Sequence, residues 1–182
     1  MPTKKKASAP AKKAATKDKT AKPAFKKHIC SLQPGDKAPE FSGIDQNGKT
    51  ISLKDYKGKK LVLYFYPKDD TPGCTAQACS LRDEYAVLKK KGIEILGVSA
   101  DNEAKHQKFI EKYQLSFRLL ADTENQVIKQ YDVWGKKQFM GRVFDGLNRT
   151  TFLINEKGMI DHIIAQPDTK NHAEEVLKVW GI

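Results

Sequence analysis

No stretch of the 182 residues approaches the roughly 18 consecutive apolar residues that a membrane-spanning helix needs, so no transmembrane segment is expected. The first 27 residues lack the apolar region of a secretory signal, and they contain no arginine, which argues against a mitochondrial transit peptide. With no export signal in view, the cytoplasm is the expected compartment, with nucleoid or nuclear association as a variant through the basic N-terminus. Cysteine is scarce: only Cys30, Cys74 and Cys79 occur. An odd, low count without a signal peptide does not describe a disulfide framework. In a reducing compartment, thiols at special positions are more often catalytic or metal-binding than structural. The C-x-x-C pair of a thioredoxin-type oxidoreductase is missing. Cys74 and Cys79 form a C-x4-C pair with no second pair to complete a zinc site, and that spacing exceeds the C-x2-C usual for such sites. The four histidines, His28, His106, His162 and His172, show no ligand spacing. No metal or other cofactor is therefore expected.

Charge is present in excess, at +11, but it is concentrated. Residues 1–27 carry ten lysines against one acid, Asp18; the other 155 residues carry 23 basic and 21 acidic side chains. The Lys/Ala/Pro/Thr composition of this tail cannot bury enough apolar surface to offset the entropy of ordering, so residues 1–29 are expected to be disordered and 30–182 to form the domain. The lysine pairs of residues 1–27 suit either a solubilising role or a non-specific, salt-sensitive attraction to nucleic acid.

Within the domain, Asn47-Gly48 between FSGID and TISL predicts a β-hairpin. LVLYFY (61–66) reads as a strand buried on both faces. Ala78, Leu81, Tyr85 and Leu88 then recur at helical spacing, predicting one helix from about 72 to 91 that ends in three lysines and Gly92. IEILGVSA (93–100) predicts a second buried strand, parallel to the first through a right-handed crossover. A helix over 102–113, a strand over 117–122, a short helix over 125–131, a hairpin turning at 155–158 and a last helix over 171–179 follow. That order predicts a three-layer α/β fold of thioredoxin-like type, with a central mixed sheet flanked by helices and an N-terminal β-hairpin.

The stretch richest in chemistry is YPKDDTPGCT (66–75), a strand end, a loop and a helix start. Thr71 suits the N-cap and Pro72 the first helical position. Cys74 then falls in the first turn, beside unpaired backbone N–H groups and the positive end of the helix dipole, a setting that favours the thiolate. Such a thiolate could attack the O–O bond of a peroxide. The Thr71 hydroxyl, the N–H groups near Gly73 and Cys74, and a cation from elsewhere would answer the charge on the departing oxygen. The product is a sulfenic acid, which needs a second thiol. Cys79 lies five residues on in the same helix, about 8–9 Å away between Cα atoms and about 140° around the axis. A disulfide needs Cα atoms within about 7 Å, so a Cys74–Cys79 bond requires the helix start to unwind.

Pro67, Thr71 and Cys74, spaced P-x-x-x-T-x-x-C, resemble the active-site signature of the peroxiredoxins. YFYPKDDTPGCTAQACSLRDEY and YDVWGKKQFMGRVFDGLNRTTFLI (131–154) are similar to two characteristic blocks of the peroxiredoxin Q subfamily, also called bacterioferritin comigratory proteins. The likeness spans about residues 32–180. It implies a thioredoxin-like fold and a hydroperoxide-reducing peroxidase without metal or haem, recycled by thioredoxin or a similar dithiol; organic hydroperoxides are expected beside hydrogen peroxide if the apolar cluster of residues 134–144 rims the pocket. It further implies that Cys74 is the peroxidatic and Cys79 the resolving cysteine, joined in an intramolecular disulfide. Thr71 matches the hydroxyl that contacts peroxide, Pro67 the residue that shields the pocket, and Arg149 the arginine that stabilises thiolate and transition state. With both thiols in one chain, a monomer is expected. Cys30 reads as an incidental thiol. Trp134, Phe139, Met140, Val143 and Phe144 are read as either core or the rim of an apolar pocket. Two other functions remain to be weighed: a nucleic-acid-associated protein whose redox domain is secondary, and a glutathione-linked peroxidase on a related fold.

Overall fold

The computed structural model describes residues 25–182, so the expected disorder of the basic tail lies, for residues 1–24, outside the described residues. Among the described residues, His28 is already hydrogen-bonded to the domain, two residues ahead of the boundary expected from composition. Its N–H donates to the Lys136 carbonyl at 3.1 Å, and its Nε2 lies 2.8 Å from the Asp132 carbonyl.

The elements run in chain order as β1 (Ser42–Asp45), β2 (Thr50–Ser52), a 3₁₀ turn (Leu53–Tyr56), β3 (Lys60–Phe65), α1 (Pro72–Asp83), α2 (Tyr85–Lys90) and β4 (Ile93–Ser99). Then come α3 (Glu103–Tyr113), β5 (Arg118–Ala121), α4 (Gln126–Gln130), β6 (Trp134–Phe139), β7 (Arg142–Leu147), β8 (Thr150–Ile154), β9 (Ile160–Ile164) and α5 (His172–Trp180). Seven strands form one mixed sheet in the order β2-β1-β5-β4-β3-β8-β9. The β3/β4 and β4/β5 pairs are parallel, and the other pairs are antiparallel. The β1–β2 hairpin turns at Asn47-Gly48 as expected: Gly48 takes φ +73, and Asp45 Oδ1 accepts the N–H groups of Asn47 and Lys49 at 2.9 Å each.

Central strand β3 shows why its sequence is a continuous apolar run. Leu61, Leu63 and Phe65 enter one core with Val127, Ile128, Tyr131 and Phe152. Val62, Tyr64 and Tyr66 enter the other with Leu81, Leu88, Phe109 and Val176. Side chains alternate between faces, so a strand covered on both sides must be apolar throughout.

Two expectations need correction. The helix expected over 72–91 is two helices, α1 and α2, interrupted at Glu84 (φ −98, ψ 4). The interruption lets Tyr85 turn its ring edge-on to Phe117 and donate its hydroxyl to Glu94 at 3.2 Å. No glycine or proline marks the break. The segment 134–147, given no element from the sequence, forms a separate two-stranded hairpin, β6–β7. Its loop is Met140-Gly141, both at positive φ (47 and 78), the combination a tight two-residue hairpin turn requires.

Candidate active site

The C-terminal end of β3 and the N-terminal end of β8 lie side by side, with Phe65 opposite Thr150. The loop 67–71 leaves β3 at this edge and feeds α1, while Arg149 immediately precedes β8. Two segments 75 residues apart in sequence are thereby brought together. Thr71 occupies the N-cap in extended backbone (φ −98, ψ 150), and Thr75 N–H donates to Thr71 O at 2.8 Å as the first helical bond. The N–H groups of Gly73 and Cys74 therefore precede the helical ladder. The expected side-chain cap is not made. The Thr71 hydroxyl instead donates to the Lys68 carbonyl at 3.0 Å, which commits its single hydrogen and leaves its lone pairs free to accept.

Cys74 is 1% exposed, and Arg149 Nη2 donates to its Sγ at 3.2 Å. The other arm of the guanidinium, Nη1, donates to Gln77 Oε1 at 2.6 Å. Gln77 is fully buried, and its Nε2 has no partner, so the amide sits there through its oxygen alone. Gly73 makes the approach possible: a Cβ at that position would meet Arg149 Nη2 at 3.3 Å. Sequence reasoning did not single out Gln77. Its place three residues after Cys74, on the same helical face, was the available signal.

Other groups look into the same region. Lys137 of β6 is half-buried and donates from Nζ to the Leu147 carbonyl, two residues before Arg149, at 2.8 Å. Burial pushes its pKa down, the Arg149 charge adds to that, and a Cys74 thiolate opposes it. Beneath the site, the Tyr64 hydroxyl is buried without a partner, and its pKa is raised by burial, with the Asp69 and Cys74 charges adding. His172 of α5 is buried, with Nε2 3.0 Å from Thr151 Oγ1 and Nδ1 2.9 Å from Glu175 Oε2. Burial lowers its pKa against the pull of Glu175, and Arg149 lowers it further. His106 is likewise buried and paired with Asp69, so two of the four histidines are structural partners of the sheet edge that carries the site.

The remaining candidates fall as follows. Pro67 is exposed, directly after β3. Cys79 is a free, half-buried thiol within unbroken α1, so bonding to Cys74 demands the unwinding argued above. Cys30 donates to the Tyr131 carbonyl at 3.3 Å, and burial raises its pKa, which describes an unreactive thiol. Trp134, Phe139, Met140, Val143 and Phe144 are not core, since all five are exposed on β6–β7. Among the described residues, no group of three or more His, Cys, Asp or Glu side chains could hold a metal ion, and no helix is long and apolar enough to cross a membrane.

Comparison with known proteins bears directly on this geometry. The AhpC/TSA family model matches residues 34–163. Peroxiredoxin Bcp of Escherichia coli (strain K12) is 48% identical over 146 residues, which cover 80% of this chain and 94% of that protein. Peroxiredoxin Bcp of Bacillus subtilis (strain 168) is 42% identical over 148 residues, covering 81% and 94%. Among solved structures, a PrxQ mutant of Xylella fastidiosa is similar at a TM-score of 0.77 and 30% identity, covering 82% of this chain and 96% of that one. The bacterioferritin comigratory protein of Xanthomonas campestris, described for its alkyl peroxide reduction activity from trapped intermediate and ligand complexes, is similar at 0.72 and 30%, covering 78% and 90%.

Proposed function

The chain belongs to the AhpC/TSA family, in its Bcp/peroxiredoxin Q branch, and from that premise we propose that Cys74 is the thiol through which it reduces hydroperoxides. Its activity is that of a thiol peroxidase, an oxidoreductase that takes peroxides as acceptors and is re-reduced by a thioredoxin-type dithiol. The observation that carries Cys74 is the 3.2 Å approach of Arg149 Nη2 to its sulfur at a helix start.

The Cys74 thiolate attacks one peroxide oxygen. An S–O bond forms as the O–O bond breaks, and the departing oxygen leaves with the electron pair as alkoxide or hydroxide, to be protonated. The sulfur is oxidised to sulfenic acid, and the peroxide is reduced to an alcohol or water. Arg149 and the N–H groups of Gly73 and Cys74 face the charge that develops, where donors fixed in advance lower the barrier. Thr71, its own hydrogen engaged with Lys68, accepts the O–H of the incoming hydroperoxide. Pro67 stands at the rim as the pocket's shield. Cys79 then attacks the sulfenic sulfur, expels water and forms the Cys74–Cys79 disulfide, after α1 has unwound. Two exchange steps with an external dithiol restore both thiols.

A resolving thiol in the same chain supports a monomeric cycle, and free thiols with a dithiol reductant suit the cytoplasm. Non-specific nucleic-acid contact through the lysines of residues 1–27 remains compatible with this cycle. The alternative in which nucleic-acid binding is the principal function has no support in the likenesses above. Peroxide consumption coupled to thioredoxin and its reductase tests the reading. Cys74→Ser should abolish turnover, and Cys79→Ser should abolish or greatly slow thioredoxin-linked recycling. Full turnover by Cys74→Ser would overturn it.

A further inference from the structure

The loop that delivers Thr71 and Cys74 carries two adjacent acids, and α3 grips both. Asp69 is buried, with Oδ1 accepting the Tyr66 hydroxyl at 2.7 Å and Oδ2 lying 2.7 Å from His106 Nδ1. The far nitrogen of that ring, Nε2, lies 3.2 Å from the Leu120 carbonyl in β5. Asp69 also offers its N–H to Asp101 Oδ2 at 2.8 Å, and Asp101 is held by Ser99 and Lys105. Asp70 follows at φ +55, a left-handed conformation that costs energy in a non-glycine residue. It is held there by Lys112 Nζ at 2.8 Å and by the Tyr113 hydroxyl, both from α3.

The ring of His106 is fully buried between two acceptors, a carboxylate and a carbonyl. Each member of the pair is thereby held at two ends, Asp69 by the Tyr66 hydroxyl and the His106 ring, and His106 by Asp69 and the Leu120 carbonyl. A group this costly to bury serves poorly as filler, because well-packed apolar side chains of similar volume stabilise a fold at least as well. What it does supply is fixed direction at Asp69, two residues before the N-cap of α1.

We propose that Asp69 and His106 are a buried positioning pair for the peroxide-reacting turn, holding the loop so that Thr71 and the first N–H groups of α1 meet the peroxide in register with Arg149. Neither side chain touches the reacting atoms; each acts through the loop. The pair thus governs reaction with peroxide, which needs every donor in place. It has little hold over the reaction of Cys74 with a small alkylating agent, which needs only an accessible thiolate. The proposal rests on Cys74 being the reacting thiol, so the wild-type and Cys74→Ser proteins are measured alongside.

The experiment compares, for the full chain, the second-order rate of Cys74 oxidation by hydrogen peroxide with its rate of alkylation by iodoacetamide. The variants are Asp69→Asn, which is nearly isosteric, His106→Asn and the double substitution, each checked for folding by circular dichroism. Loss of register by about an ångström can cost on the order of a hundredfold. The expected result is a peroxide rate reduced about tenfold or more in both single variants, no further loss in the double variant, and alkylation within about threefold of wild type. That ratio is not moved by general destabilisation. A folded Asp69→Asn protein with the wild-type peroxide rate would overturn the proposal, as would equal losses in both reactions. If wild type itself fails to react at Cys74, the functional reading falls instead.

Discussion

Arg149 spans two partners, a thiol sulfur and an amide oxygen, and each makes a prediction at the scale of a single side chain. Gln77→Leu keeps the buried volume but removes the acceptor that aims the guanidinium. Loss of the bond to the guanidinium should cost about 1–2 kcal/mol of stability, relieved in part because Gln77 Nε2 is already unpartnered, while the peroxide rate falls by about tenfold as Arg149 loses its bearing. Stopped-flow oxidation beside a thermal melt checks both. Gly73→Ala should have a similar kinetic effect for a different reason: its methyl carbon would stand 3.3 Å from Arg149 Nη2, and the cation must give way from the sulfur. The melting temperature should hold or rise, since alanine is the better helix former. His172 carries a prediction in pH. Burial keeps its folded-state pKa below the ordinary value, so the unfolded chain takes up the proton first. Its neutral form, donating from Nδ1 to Glu175 and accepting from Thr151, is in place above about pH 6.5. Stability should drop as pH falls from 7 towards 5, and His172→Asn should flatten that part of the curve of melting temperature against pH. The positions of Thr71 and Cys74 were legible in the sequence because helix starts are local. The partnership with Arg149 was not: 75 residues separate the two side chains, and only the resemblance to a family pointed to it.

Among the elements, α1 must do two things, start rigidly at Cys74 and come apart for Cys79. Its later turns are tied to α5. The N-cap residue of α5, Asn171, gives no side-chain cap, and the Ala173 N–H is taken by Ser80 Oγ of α1 at 3.1 Å. One helix thus satisfies a terminal donor of the other. When Cys79 swings towards Cys74, its neighbour Ser80 should leave that N–H unpaired. Oxidation should therefore lower helix content in the far ultraviolet and speed amide exchange at the start of α5. Ser80→Ala should quicken disulfide formation by roughly fivefold, as loss of a hydrogen bond worth about 1 kcal/mol allows. Rapid-quench trapping of the Cys74–Cys79 disulfide measures this, and an unchanged rate would separate α5 from the redox change. Regular elements of this kind were readable because α5 repeats its apolar residues at helical spacing, while β3 and β4 are the continuous apolar runs of strands covered on both faces. The division at Glu84 was not, because Arg82-Asp83-Glu84-Tyr85 contains no breaker, and the bend answers to Phe117 and Glu94, which are distant in sequence.

For the molecule as a whole, the sheet collects the site at one edge, while the β6–β7 hairpin stands outside the sheet beside it. The hairpin escaped the sequence reading because both of its strands are largely solvent-facing and lack the alternation that burial imposes. Its turn, Met-Gly, also lacks the usual Asn-Gly or Asp-Gly mark. That exposure is itself informative: Phe139 is 66% exposed, Val143 50% and Phe144 45%, and with Trp134 and Met140 they make the hairpin the place where exposed large apolar side chains cluster among the described residues, most of the others being packed in two cores. Lys137 stands on the side of the hairpin that faces the site: within the hairpin it bonds to the Leu147 carbonyl and lies 5.7 Å from the centre of the Phe144 ring, and its charge is felt by Arg149 and Cys74. An organic hydroperoxide approaching Cys74 from this side would lay its apolar group against Phe144, whereas hydrogen peroxide has nothing to lay there. Phe144→Ala should then lower kcat/KM for cumene hydroperoxide about fivefold, equivalent to roughly 40 Å² of lost apolar burial. The value for hydrogen peroxide should stay within about twofold. Parallel losses on both substrates would instead make the hairpin a brace for Lys137 and Arg149, with no part in choosing the peroxide.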